Sequence, residues 1–280
     1  MKKKNSLLFL FLILVLISFH VNAAGLEYYL SNSDQNFNII NKNSGKIFNV
    51  KRDSYVYPTI VINNSSEESV KVERGKVTLR FDNSSIELTK YDSGEYYKLL
   101  DNDVTIVNFN KSTDKIVVNY TLNKDLTGKD KIIEFRFHIL DNAKTGTTKV
   151  YQMDGEDTLS CIVDEASYNC AESLYTELVY NIEKSSINTL SSIKVDGVEV
   201  ENFNENTKRY NISVDGSKET VNIEAITKDS NASVSGELGT RKLDYGKNTF
   251  NIEVTSESGV KNSYVLDIDR IDTRSKVNTL

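Results

Sequence analysis

Ile133-Glu134-Phe135-Arg136-Phe137-His138-Ile139 alternates apolar and polar side chains at every step. That period of two places one set of side chains on a core face and the other in water, the mark of a half-buried β-strand. The same pattern recurs along the chain. Val77, Leu79 and Phe81 alternate with Thr78 and Arg80; Val221, Ile223 and Ala225 precede Phe250, Ile252 and Val254, then Tyr264, Leu266 and Ile268. No long stretch carries a helical stripe. Clusters such as Asn63-Asn64-Ser65-Ser66, Asp82-Asn83-Ser84-Ser85 and Asp92-Ser93-Gly94 separate the runs as turns. Many short strands at this spacing predict an all-β protein of antiparallel sandwiches. The one proline, Pro58, cannot donate to a ladder, so it is expected at an edge, a bulge or a strand start.

The ends of the chain have their own signals. Lys2-Lys3-Lys4, then an apolar run from Leu7 to Phe19 broken only by Ser18, then Val21-Asn22-Ala23 have the order of a secretory signal peptide over residues 1–24. The apolar run is shorter than the ~20 residues that cross a bilayer, so cleavage is expected over anchoring. No cysteine stands near the cleavage site, and no later run is long enough to span a membrane. Formal charge is -6; without the leader, 31 bases face 40 acids, a formal charge of -9. Such an acidic surface repels phosphate backbones and argues against nucleic-acid partners. A boundary falls near residue 185, giving regions 25–184 and 185–272. Ile187-Asn188-Thr189-Leu190 opens the second region, and Val277-Asn278-Thr279-Leu280 nearly repeats it. Residues 273–280 therefore read as a connector and the start of a further, truncated repeat.

The second region resembles the cadherin-like β-sandwich domain found in tandem on secreted proteins of Gram-positive bacteria. The resemblance is carried by Leu190-Ser191-Ser192-Ile193-Lys194-Val195-Asp196-Gly197, by Phe203-Asn204-Glu205-Asn206-Thr207-Lys208-Arg209-Tyr210, and by Leu243-Asp244-Tyr245-Gly246-Lys247-Asn248. Gly259, Tyr264, Ile268 and Arg270 close it. It implies a sandwich fold and an adhesive or structural role without catalysis. Asp196, Asp215, Asp244, Asp267 and Asp269 are scattered with no calcium-loop pattern, and read as acids of solvated turns. The first region resembles the cohesin and carbohydrate-binding-module superfamily of jelly-roll sandwiches. There the likeness is in strand order: Pro58 to Asn64, Gly75 to Asp82, Val104 to Phe109, Ile116 to Leu122 and Ile132 to Leu140. Its opening strand is expected at Phe37 to Ile40 or at Ile47 to Val50.

The chemistry of catalysis is sparse. His20 lies in the leader, which leaves His138 on a strand, facing solvent or a neighbouring strand. One histidine cannot supply a multi-histidine metal site, and no nucleophile motif, phosphate loop or C-x-x-C pair occurs. Asp154, Glu156, Asp157, Asp164 and Glu165 crowd one loop and could hold a glycosidase pair, but so many acids together read better as solvated surface. No catalytic, cofactor or metal site is therefore assigned. Binding is the expected role, with an extracellular protein or a polysaccharide as partner. Sugar platforms favour tryptophan, and the chain has none. Tyr28, Tyr29, Tyr55, Tyr57, Tyr91, Tyr96 and Tyr97 could substitute, or could fill cores and rims with wet hydroxyls. Tyr96-Tyr97 beside Gly94 is the candidate contact, because adjacent strand residues point to opposite faces. A spacer role for the first region is the third reading, and no L-P-x-T-G anchoring motif occurs.

Cys161 and Cys170 are the only cysteines, and export favours a disulfide between them. Two free thiols, or one joined to another molecule, are the alternatives. Closing a loop of about ten residues contributes roughly 2–3 kcal/mol. Thiol labelling followed by intact mass should therefore find no free sulfhydryl in the native exported protein, whereas two labelled cysteines would contradict the bridge.

Overall fold

The computed structural model describes residues 26–33, 39–42, 47–152, 156–163, 165–172 and 176–272. The expected leader, the connector at 273–280, Asp154 and Asp164 lie outside them. The chain divides into two compact units after Ile182.

The first unit holds β1 (Leu26–Ser33), β2 (Ile39–Lys42), β3 (Ile47–Val50), β4 (Ser54–Asn64), β5 (Val70–Phe81), β6 (Ile86–Thr89) and β7 (Tyr97–Leu99). It continues with β8 (Val104–Lys111), β9 (Lys115–Leu126), β10 (Lys129–Ile139), β11 (Gly146–Gln152), β12 (Thr158–Val163), β13 (Ala166–Glu172) and β14 (Glu177–Ile182). One sheet runs β2-β1-β4-β10-β6, with β7 also on β10. The other runs β8-β9-β5-β11-β14-β3, and the β12–β13 hairpin occupies the edge of β5 that β11 leaves open. Val56, Ile60, Phe135, Phe137 and Ile139 of the first sheet meet Val77, Leu79, Phe81 and Val118 of the second in one core. Phe81 and Phe137 touch edge to face with ring centroids 5.0 Å apart. This arrangement is the sandwich that the alternating runs predict. One pairing is not antiparallel: β3 lies parallel to β14.

Two expectations need correction. The opening strand is β1, which pairs with β4 along its whole length from Leu26↔Asn64 to Ser33↔Tyr57. Tyr28, Tyr29 and Leu30 are all fully buried, so this strand has no alternation to detect. Pro58, in turn, sits in the middle of β4, between β1 and β10, and not at an edge or a start. The ladder to β10 lapses there: pairs run to Thr59↔Glu134 and resume at Val56↔Phe137. The missing N–H is thus accommodated by a local gap in a central strand.

The core contains polar groups that join the two sheets. The N–H of Leu30 in β1 donates to Thr176 Oγ1 at 3.0 Å. The Thr176 hydroxyl donates to Gln152 Oε1, and Gln152 Nε2 donates to Asp157 Oδ2 at 2.8 Å. Asp157 Oδ1 accepts the N–H of Thr78 in β5 at 2.6 Å. Beside this chain the Tyr120 hydroxyl donates to that of Tyr28 at 3.2 Å, and the Tyr120 ring lies over Gly75, where a Cβ would come within 2.3 Å of its oxygen. Glycine in mid-strand is what allows that approach.

The second unit is a smaller sandwich. Its strands are β15 (Leu190–Val195), β16 (Val198–Glu199), β17 (Arg209–Val214), β18 (Thr220–Thr227), β19 (Ser233–Gly236), β20 (Gly239–Lys242), β21 (Gly246–Thr255) and β22 (Lys261–Arg270). They form sheets β16-β15-β18-β20 and β17-β22-β21-β19, with β17 parallel to β22. Val221, Ile223, Phe250, Ile252, Tyr264, Leu266 and Ile268 fill the core. Asp196 and Gly197 both take positive φ, 51° and 79°, as a tight two-residue hairpin turn requires. The buried Arg270 guanidinium donates to the carbonyls of Gly216 and Leu243 at 2.8–3.0 Å and ties the last strand to two turns. Asp267 corrects a further expectation. It is a buried strand residue, not a solvated turn acid, and holds Arg209 at 2.6 Å and Lys247 at 3.0 Å.

Burial pushes Asp157 up to about 7, outweighing the hydrogen bonds from Gln152 and Thr78 that favour its charge. The folded chain then binds this proton more tightly than the unfolded chain, whose carboxyl titrates near its ordinary value. Stability of the first unit should fall as pH rises from about 4 through 7, by up to about 4 kcal/mol. Denaturant unfolding at pH 5 and pH 8 should show more than half of this loss, and Asp157→Asn should reduce it. An equal loss in the variant would contradict the assignment.

Candidate functional site

Alternation on β10 sends Phe135, Phe137 and Ile139 into the core and Glu134, Arg136 and His138 to the opposite face of the sheet. Pairing then places their neighbours. His138 stands opposite Tyr55 of β4 on one side and Glu87 of β6 on the other; Arg136 stands opposite Thr89. A turn follows β6, in which the Tyr91 N–H donates to the Glu95 carbonyl and Gly94 takes positive φ. It returns Tyr91 over the same face.

The outcome is a cluster centred on Arg136. Its guanidinium lies 5.2 Å from the Tyr55 ring and 4.9 Å from the Tyr91 ring, so β10 carries a cation flanked by an aromatic ring from β4 on one side and one from the turn after β6 on the other. Arg136 Nε donates to Thr89 Oγ1 at 3.2 Å, which fixes the side chain. The Tyr91 hydroxyl donates to Glu134 Oε1 at 3.0 Å. Glu134 is 1% exposed, and burial raises its carboxyl above the usual range. The Tyr91 hydroxyl is raised too, by its own burial and then by the Glu134 charge. Tyr55 completes the surface: it is 48% exposed and packs on His138 with ring centroids 5.1 Å apart. His138 Nε2 lies 2.9 Å from Asp53 Oδ1 and Nδ1 lies 3.4 Å from Glu87 Oε1, so two acids hold the imidazole in place. Such a face can stack and hydrogen-bond a partner without moving.

The other candidates are placed differently. Tyr96 and Tyr97 do not point to opposite faces. Both meet Phe109 of β8, at centroid distances of 5.9 and 5.4 Å. Tyr96 precedes β7 and so escapes strand alternation. Its ring also carries Lys90 at 5.1 Å and Lys111 at 4.8 Å, and the group closes one edge of the sandwich. Tyr28 and Tyr29 are core, while Tyr57 is half-buried. Cys161 and Cys170 are joined across the β12–β13 hairpin with Cα atoms 5.6 Å apart. Among the described residues of the acidic cluster, Glu156, Asp157 and Glu165 do not form a carboxylate pair. Glu156 is engaged by Lys115 at 3.3 Å, Asp157 is buried in the core, and exposed Glu165 makes the hairpin turn at positive φ. Sequence reasoning missed Arg136 as a centre. The signal was present in its alternation with Phe135 and Phe137, but the strands that bring Tyr55 and Tyr91 beside it were not.

Among the described residues no helix is long and apolar enough to cross a membrane, and no three His, Cys, Asp or Glu side chains gather as a metal site. No curated protein matches this sequence. The structure is similar to a type III cohesin module of the cell-surface anchoring scaffoldin ScaE of Ruminococcus flavefaciens. That similarity has 8% identity and a TM-score of 0.42 over 59% of this chain and 93% of that one. It is also similar to the seventh ScaB type I cohesin of Pseudobacteroides cellulosolvens, with 13% identity and a TM-score of 0.40 over 50% and 89% of the two chains. A cohesin module of a Clostridium perfringens family 33 glycoside hydrolase gives 8% identity and 0.38 over 56% and 98%. Residues 188–271 match the family model of the cadherin-like beta sandwich domain.

Proposed function

We propose that this chain is an exported, non-catalytic adhesion or scaffold protein whose first sandwich binds another extracellular protein through the Tyr55–Arg136–Tyr91 face. The observation that carries the reading is the arginine flanked by two tyrosines on a sheet of fixed backbone. Arg and Tyr are the residue types that dominate binding energy at protein interfaces, and rigid aromatic anchors lose little entropy on binding. Polysaccharide recognition is the weaker reading. The Tyr96 ring is engaged by Phe109 and two lysines, which compete with any sugar for its faces. Export is supported by Lys2-Lys3-Lys4 and the apolar run that follows. The second sandwich then serves as a further module that displays the first at the surface.

The test is retention. Immobilised chain is exposed to the source organism's secreted proteins and to a panel of polysaccharides, beside the Tyr55→Ala and Arg136→Ala variants. A protein should be retained, and each variant should weaken it tenfold or more, as loss of an interface anchor does. Retention on a glycan instead, or of a protein that both variants hold equally well, would overturn the reading.

A further inference from the structure

A second surface lies wholly within the smaller sandwich. Its two sheets part at the side where β16 faces β17, leaving an open groove of about 350 Å³. Val198, Val200, Ile212 and Val214 line it, with Glu199 and Glu201 on its rim. Val198 is 72% exposed, a large apolar side chain in water.

Both strands that border the groove are edges. β16 pairs only with β15, and β17 only with β22. The carbonyl of Lys208, just before β17, accepts from Val265 of β22 at 2.8 Å, and that of Val214, at the end of β17, accepts from Ile271, just after β22, at 3.1 Å. Backbone groups alternate sides along a strand, so those of Asn211 and Ser213 point outward. Asn211 and Ser213 are exposed, and no proline or bulge blunts this edge. Charge narrows the occupant. Asp196 is already paired with Lys218 at 2.6 Å, and Asp215 accepts from Ser217. Exposed Glu199 and Glu201 have no ion-pair partner among the described residues.

We infer that β17 accepts an extended segment of a partner protein as an added strand, with apolar side chains entering the groove and flanking basic ones meeting Glu199 and Glu201. Main-chain bonds to Asn211 and Ser213 supply the pairing, and the groove and its acids supply the selection. The site stands independently of the face proposed for the first sandwich.

The probe is an eight-residue peptide alternating valine and threonine with a lysine at each end, titrated into the full chain. Backbone amide spectra should shift at Asn211 and Ser213, with slowed hydrogen exchange there. A glutamate-ended peptide and the Glu199→Lys/Glu201→Lys variant should each bind at least tenfold more weakly. A peptide with a central proline, and the Ser213→Pro chain, should not bind. Should Ser213→Pro fail to fold, the charge variant alone decides. Shifts confined to other strands, equal binding of the proline peptide, or no binding of the lysine-ended one would overturn the inference.

Discussion

The first sandwich depends on a line of buried hydrogen bonds that runs from the Leu30 amide through Thr176, Gln152 and Asp157 to the Thr78 amide. Apolar burial drives two sheets together but does not choose their register, because it has no direction. A polar chain does choose. Each group in it would be left unsatisfied by a slip of one residue, at a cost of roughly 1–3 kcal/mol apiece. The Tyr28–Tyr120 pair over Gly75 adds a steric lock of the same kind. β1 of one sheet is thereby fixed against β5, β11 and the residue that leads into β14 in the other.

That fixed register is what gives the outer face its value. With β4, β10 and β6 held in place, Tyr55 of β4, Arg136 of β10 and Tyr91 of the turn after β6 converge, and Thr89, Asp53 and Glu87 hold the Arg136 and His138 side chains. A surface assembled in this way pays little ordering entropy when it meets a partner. The gap that Pro58 leaves in the ladder lies beside this cluster, opposite the stretch of β10 that carries Phe135 and Arg136. The second sandwich uses a different device: Arg270 clamps two turns, and Tyr264 donates to the Glu205 carbonyl at 2.7 Å. The motif residues of that region thus serve its fold.

Strands with one polar face were legible in the sequence, because Ile133 to Ile139 and Val77 to Phe81 carry their orientation in their alternation. β1 was not, because Tyr28, Tyr29 and Leu30 are buried on both faces and periodicity vanishes. The fold of the second sandwich was readable through its resemblance, which the family-model match over residues 188–271 bears out. Asp267 and Asp157 were misplaced for one reason: an acid's burial depends on partners far off in the chain, here Arg209 for Asp267 and Thr78 for Asp157. The candidate site was half legible. Sequence shows which way Arg136 and His138 point but not which strands flank them, and it favoured Tyr96 and Tyr97 because they are adjacent.

The most direct test of the account is a hydrogen-exchange footprint of the chain with its captured protein partner bound. Protection should gather on β4, β6, β10 and the Tyr91 turn, with the β5 and β9 amides unchanged. Protection confined to β8, β9 and the Tyr96 edge would contradict it.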